Sequence, residues 1–248
     1  MNVQVSQQSL PAIPALRLIR LISTLLVGLL FFQPSPVIAL GETRTVADVI
    51  THFGDKVRAR LQPRFVFAGV DWPPQRVSLV AFKDTRLMEL WALSEGVWQH
   101  IKDYRVKAMS GRKGPKLREG DRQVPEGEYR IERLNPNSAY HLSLKLDYPN
   151  AFDRQQAQRD GRSNLGGDIF IHGGGVSSGC LAVGNNAVEE LFVLAAMIGE
   201  ANVSILITPR DYRFRPRQPV TDNAPAWVDD LHGQIANRLQ LFPLADKR

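Results

Sequence analysis

The chain has 248 residues, 44% of them apolar, a single cysteine and a formal net charge of +6, enough for one domain of ordinary size with its own core. One cysteine excludes an internal disulfide framework. The modest cation excess suits an anionic envelope polymer or membrane face and, with no recognition motif beside it, excludes a nucleic-acid partner.

Leu21 to Phe32 is an uncharged apolar run of twelve residues preceded by Arg17 and Arg20, the layout of an export signal. Twelve residues fall short of the ~20 that span a bilayer, and Val37-Ile38-Ala39 puts small or modest residues before a cut after Ala39. Residues 1–39 are therefore read as a signal, giving a mature chain of 209 residues with a net charge of +4. The expected location is periplasmic or extracytoplasmic, with membrane contact only through the signal. No cysteine follows the run, so a lipid-modified N-terminus is not expected.

Residues 40–75 read as a leading helix and connector: Val46, Val49, Ile50, Phe53, Val57 and Leu61 keep one face, Thr45 with Asp48 caps the start, and Pro63 closes it. Arg76–Phe82, Arg86–Leu93 and Val97–Lys107 read as three strands of a meander or sandwich. Ser110 to Asp121 has no apolar period and is a loop, with Lys107, Arg112, Lys113 and Lys116 as its basic cluster. A strand over Glu128–Leu134 precedes another over Ala139–Leu146, in which Tyr140, Leu142, Leu144 and Leu146 share one face and His141 lies on the polar one. After a strand ending at His172, Asn186 with Glu189 caps a helix whose stripe runs from Val188 to Gly199, and Val203–Ile207 is a last core strand. Residues 211–248 hold an Arg- and Pro-rich segment and an amphipathic surface helix over Ala226–Phe242 that carries His232.

The chemistry concentrates in His172-Gly173-Gly174-Gly175-Val176-Ser177-Ser178-Gly179-Cys180. A free thiol is only a few per cent thiolate at neutral pH, so a nearby imidazole that accepts its proton turns it into a nucleophile. His172 ends a strand, a rigid platform for its ring. The glycines let the chain turn back, and the amides of Gly179 and Cys180 are the candidate oxyanion donors. Ser177 is expected to orient the loop. The same residues spell G-x-S-x-G and His-Gly-Gly-Gly, signatures of serine hydrolases, but there the two occupy separate loops and here they share Gly175. A zinc site at His172 and Cys180 lacks further ligands at a sensible spacing, so neither a metal nor a cofactor is expected.

His172-Gly173 followed by Ser177-Ser178-Gly179-Cys180 resembles the His-Gly and Ser-His-Gly-Cys signature of the L,D-transpeptidase (YkuD-like) catalytic domain, in its short-spacer YafK-like branch. Gly114-Pro115-Lys116, Glu119-Gly120-Asp121, Pro125 to Tyr129 and Tyr148-Pro149-Asn150 match as well. The resemblance implies a mainly β fold with flanking helices, a YkuD-like sandwich or meander with a helix after the catalytic cysteine, over residues 76–210. It also implies a thioester on Cys180, His172 as base and peptidoglycan stem peptides as substrate. Amine acceptors would make links and water would cut them, including a link to a wall-anchored protein as partner; an inactive wall-binding module is the rival from another class. His141, Gly173, Ser178 and Lys116 are the candidate substrate contacts. Ser178 stands where the family's second histidine is expected, leaving its ring stacking to His141, and Ala182 stands where an arginine is expected, leaving the substrate carboxylate to Arg112, Lys113 or Lys116. Asn185 matches the asparagine expected five places after the cysteine.

Overall fold

A computed structural model describes residues 43–217 and 224–244; the expected export signal and its cleavage site lie outside them. Among the described residues no helix is long and apolar enough to cross a membrane.

Helix α1 (Val46–Phe67) opens on a reciprocal capping box: the Asp48 amide donates to Thr45 Oγ1 at 3.1 Å and the Thr45 amide donates to Asp48 Oδ2 at 2.7 Å. Pro63 does not close the helix but lies within it. The missing N–H costs one bond, and Phe65, fully buried and edge-on to Trp72 at 5.0 Å, continues the stripe of Val49, Phe53, Val57 and Leu61 past the proline.

Eight strands follow: β1 (Val77–Phe82), β2 (Leu87–Ser94), β3 (Val97–Arg105), β4 (Gly127–Asn135), β5 (Ser143–Leu146), β6 (Phe170–His172), β7 (Leu181–Ala182) and β8 (Val203–Thr208). They form one sheet in the order β3-β2-β1-β8-β4-β5-β6-β7. β1 pairs in parallel with β8, Val77 opposite Val203, so both central strands are covered on both faces. Val77, Leu79 and Ala81 enter the core shared with α1, while Val80 and Phe82 enter a second core beneath the C-terminal helix. β4 is the joint: Gly127–Arg130 pairs with β8 and Ile131–Asn135 with β5, the latter ladder shifting register between Ile131 and Arg133. Beyond β7, Ala182 bridges Ala108, just past the end of β3, so the sheet curls back on itself. This is the expected β fold with flanking helices.

The strand foreseen over Ala139–Leu146 begins only at Ser143. His141, at φ 77°, centres a turn in which the Leu142 amide donates to the Tyr140 carbonyl at 3.0 Å. A period-two pattern carries no sign of such a reversal. Helix α2 (Ala151–Arg159) went unforeseen because it is polar, although Asn150 and Asp153 form its capping box. Helix α3 (Asn185–Ile198) starts one residue before the expected cap: Gly184 at φ 83° is the N-cap, and Glu189 is turned to ion pairing.

Helix α4 (Trp227–Leu239) places Leu231, Ile235 and Leu239 on Val80, Phe82, Trp91 and Leu206. It is not a surface helix throughout, since His232 is buried and its Nε2 lies 2.9 Å from Glu126 Oε2. Glu126 Oε1 accepts from Lys83 Nζ at 2.9 Å, and that ammonium also donates to the carbonyls of Gly114 and Val124 at 2.9 Å. Burial alone would raise the Glu126 carboxyl, but the Lys83 charge and the His232 bond hold it below the usual carboxylate range. The trio ties β1, the 107–126 segment and α4 together. Removing one partner of such a buried pair costs about 3–5 kcal/mol. Lys83→Met is therefore expected to lower the melting temperature by on the order of 10 °C in calorimetry.

Candidate active site

His172 ends β6 and Cys180 immediately precedes β7, and the two strands pair in parallel with Ile171 opposite Leu181 and His172 opposite Ala182. Cys180 lies just outside that two-residue ladder, its sulfur against the Phe170 backbone. The thiol, part-buried, donates to the Asp168 carbonyl at 3.6 Å.

The His172 ring is 3% exposed. Its Nδ1 lies 2.7 Å from the Gly173 carbonyl. A carbonyl only accepts, so Nδ1 carries the proton and Nε2 keeps its lone pair. Burial pushes the imidazole below its ordinary value, partly offset by that bond. Burial likewise pushes the Cys180 thiol up; the Asp168 charge adds to this, while a Phe170 backbone bond and the Lys116 charge oppose it. At neutral pH the two groups rest as thiol and neutral imidazole.

The candidate oxyanion amides are both engaged. The Gly179 amide donates to Ser110 Oγ at 2.6 Å and the Cys180 amide to Ser177 Oγ at 3.0 Å. Ser177 Oγ also donates back to the Cys180 carbonyl at 2.6 Å, locking the turn before the cysteine. Ser178 is exposed and, with Gly179, Asp168 and Arg122, lines a cleft of about 220 Å³. Gly174 joins Lys107, Gly184 and Asn185 in lining a larger one of about 540 Å³.

Lys116 is buried, donates to Asp121 Oδ1 at 2.7 Å and to the Arg118 carbonyl at 2.9 Å, and lines the smaller cleft together with Ser178 and Gly179. His141 does not face the histidine ring; its Nε2 lies 3.0 Å from Glu189 Oε1 and its ring meets Phe53 edge-on. The ring against His172 is that of Tyr140, at 4.5 Å between centroids and tilted by 34°. The alternation pattern had assigned Tyr140 to the core, and only the turn at His141 exposes it.

Asn185 Oδ1 accepts the Gly174 amide at 2.8 Å, pinning the glycine turn to the start of α3. The YkuD L,D-transpeptidase catalytic-domain model matches residues 76–205, a segment that contains this whole arrangement. The chain belongs to the L,D-transpeptidase catalytic-domain family.

Among relatives, it is 33% identical over 138 residues to YafK of Escherichia coli strain K12, whose name assigns it provisionally to the L,D-transpeptidases, and to the same protein of strain O157:H7. The match covers 54% of this chain and 54% of each relative, so the chain spans about half the length of the curated relatives it matches. Among solved structures, the helical cell shape determining protein Pgp2 of Campylobacter jejuni aligns at 23% identity and TM-score 0.45, covering 55% of this chain and 48% of Pgp2. L,D-transpeptidase 1 of Mycobacterium tuberculosis aligns at 11% identity and TM-score 0.31, covering 54% and 62%.

The glycines of this L,D-transpeptidase-family loop differ in what they tolerate. A Cβ on Gly173 would stand 2.4 Å from the Tyr140 carbonyl oxygen and 2.8 Å from Asn185 Oδ1, whereas one on Gly175 meets nothing within 4 Å. Gly173→Ala is expected to cost about 1–3 kcal/mol of overpacking, and Gly175→Ala to stay within about 0.5 kcal/mol of the parent, both read by urea unfolding.

Proposed function

We propose that the protein is an exported cysteine acyltransferase acting on peptidoglycan stem peptides, with Cys180 as nucleophile and His172 as general base. The observation that carries this reading is the His172 Nδ1 to Gly173 carbonyl contact, because it leaves Nε2 as the proton acceptor on the strand beside the thiol. Export is supported by the apolar run at Leu21–Phe32 behind Arg17 and Arg20.

In the resting structure the thiol points to the Asp168 carbonyl. Turning it toward His172 lets Nε2 take its proton while sulfur attacks the carbonyl carbon of the third stem residue, a diamino acid. The C–N bond to the following residue then breaks. Its nitrogen leaves as an amine with the proton from the imidazolium, and a thioester remains on Cys180. An acceptor amine attacks the thioester, gives its proton to Nε2 and forms a new amide as sulfur leaves; water in its place gives a carboxylic acid.

The oxyanion of each tetrahedral step competes with Ser110 Oγ for the Gly179 amide. Ser110 Oγ, which also donates to the Arg122 carbonyl at 2.8 Å, keeps that bond when it gives up the amide. Substrate carboxylates find positive charge in the larger cleft, where Lys107 lies across Gly184 and Arg105 stands nearby. These two take the part that Ala182 leaves open.

Incubation of purified protein with wall fragments is expected to give an acyl adduct on Cys180 by intact mass, and amide or acid products by mass spectrometry of the fragments. Cys180→Ala should abolish both, and His172→Ala should slow turnover by about 10²–10⁴-fold. Because His172 titrates below its usual value of about 6.5, activity is expected to survive mild acid. It should fall only below that pH, as Nε2 becomes protonated, and stay level up to the raised thiol value. A Cys180→Ala protein as active as the parent would overturn the assignment.

A further inference from the structure

Tyr140 is 46% exposed yet its ring lies on that of His172, 4.5 Å away, from a turn whose central residue has positive φ. Core packing does not account for a large ring held half in water by strained backbone. The turn is held from outside the segment that matches the family. The His141 carbonyl accepts from Arg44 Nη2 at 2.9 Å, and Arg44 is itself fixed by reciprocal bonds with Asn137, at 2.9 Å from its amide and 2.8 Å to its carbonyl. The His141 ring is gripped between Glu189 Oε1 at 3.0 Å and the Phe53 ring at 5.4 Å, and the other Glu189 oxygen is bound by Arg60 at 3.1 Å. Arg44, Phe53 and Arg60 belong to α1 and its approach, before the matched segment begins at residue 76.

We propose that Tyr140 is a positioning residue for His172, set in place by this clamp of α1 on the His141 turn. The proposal rests on the reading of Cys180 and His172 given above. A ring laid against the imidazole restricts its rotation, and its π face favours the imidazolium formed when Nε2 takes the thiol proton. The hydroxyl has no part in this; the ring does.

The test uses the full chain and the rate at which iodoacetamide labels Cys180 at pH 7, a reaction that needs the proton transfer but no peptidoglycan. Tyr140→Phe is expected to label at the parent rate. Tyr140→Leu should label about two- to tenfold more slowly, the range that an aromatic pair supports, with an unchanged melting temperature because the side chain is exposed. Arg44→Ala, which opens the clamp and leaves Tyr140 in place, should slow labelling by a lesser factor. Labelling of Tyr140→Leu at the parent rate, an equal loss in Tyr140→Phe, or a slow rate accompanied by a lower melting temperature would each overturn the proposal. His172→Ala separates the two readings. If it labels like the parent, the Cys180–His172 assignment itself fails; if it is slow while Tyr140→Leu is not, only the role of Tyr140 fails.

Discussion

The constraint on which the site depends is the parallel pairing of β6 with β7 across a connection of only eight residues, Gly173 to Cys180. Parallel strands ordinarily need a crossover of a dozen or more residues with a helix in it. Here the chain must reverse twice in a loop without one. Positive φ at Gly174 and Gly179, and the absence of a side chain at Gly173 where Tyr140 and Asn185 press close, make that reversal possible. Two paired residues are too short a ladder to stand alone. Ala182 is held on its far side by Ala108, and the Val183 amide donates to the His172 carbonyl at 2.9 Å before α3 begins.

Charges elsewhere in the interior are paired across elements. Glu190 on α3, 2% exposed, meets Arg60 of α1 at 3.0 Å and Lys102 and Tyr104 of β3 at 2.7 and 2.9 Å. Lys83 and Glu126 do the same for β1, the 107–126 segment and α4. The catalytic candidates differ in kind. His172 leans on a neutral carbonyl and the thiol on another, so burial is the leading influence on both and keeps both uncharged at rest. A neutral pair stores no ion-pair energy that reaction would have to break.

Much of this was legible in the sequence where one local signal sufficed. The capping box at Thr45, the strands of the first meander and the end of a strand at His172 each follow from adjacent residues. The failures are those of residues whose environment is made by distant chain. Lys116 read as a loop cation, yet it is buried, its ammonium paired with Asp121 and 5.9 Å from the centre of the Tyr148 ring, which a distant segment brings over it. Tyr140 read as a core residue because alternation cannot register a single residue at φ 77°. Helix α2 was missed through its polarity even though its two cap residues stood in plain view.

Helix α1 lies wholly ahead of the segment that defines the family, yet five of its side chains, Val49, Phe53, Val57, Leu61 and Phe65, are sunk in the main core. At about 1.5–3 kcal/mol for each fully buried apolar side chain, their combined burial approaches the whole stability of an ordinary domain. Trimming the protein to its recognisable catalytic portion would thus strip the sheet of its cover. Helix α1 and the matched segment share one core, and expression boundaries drawn by likeness alone would cut through it.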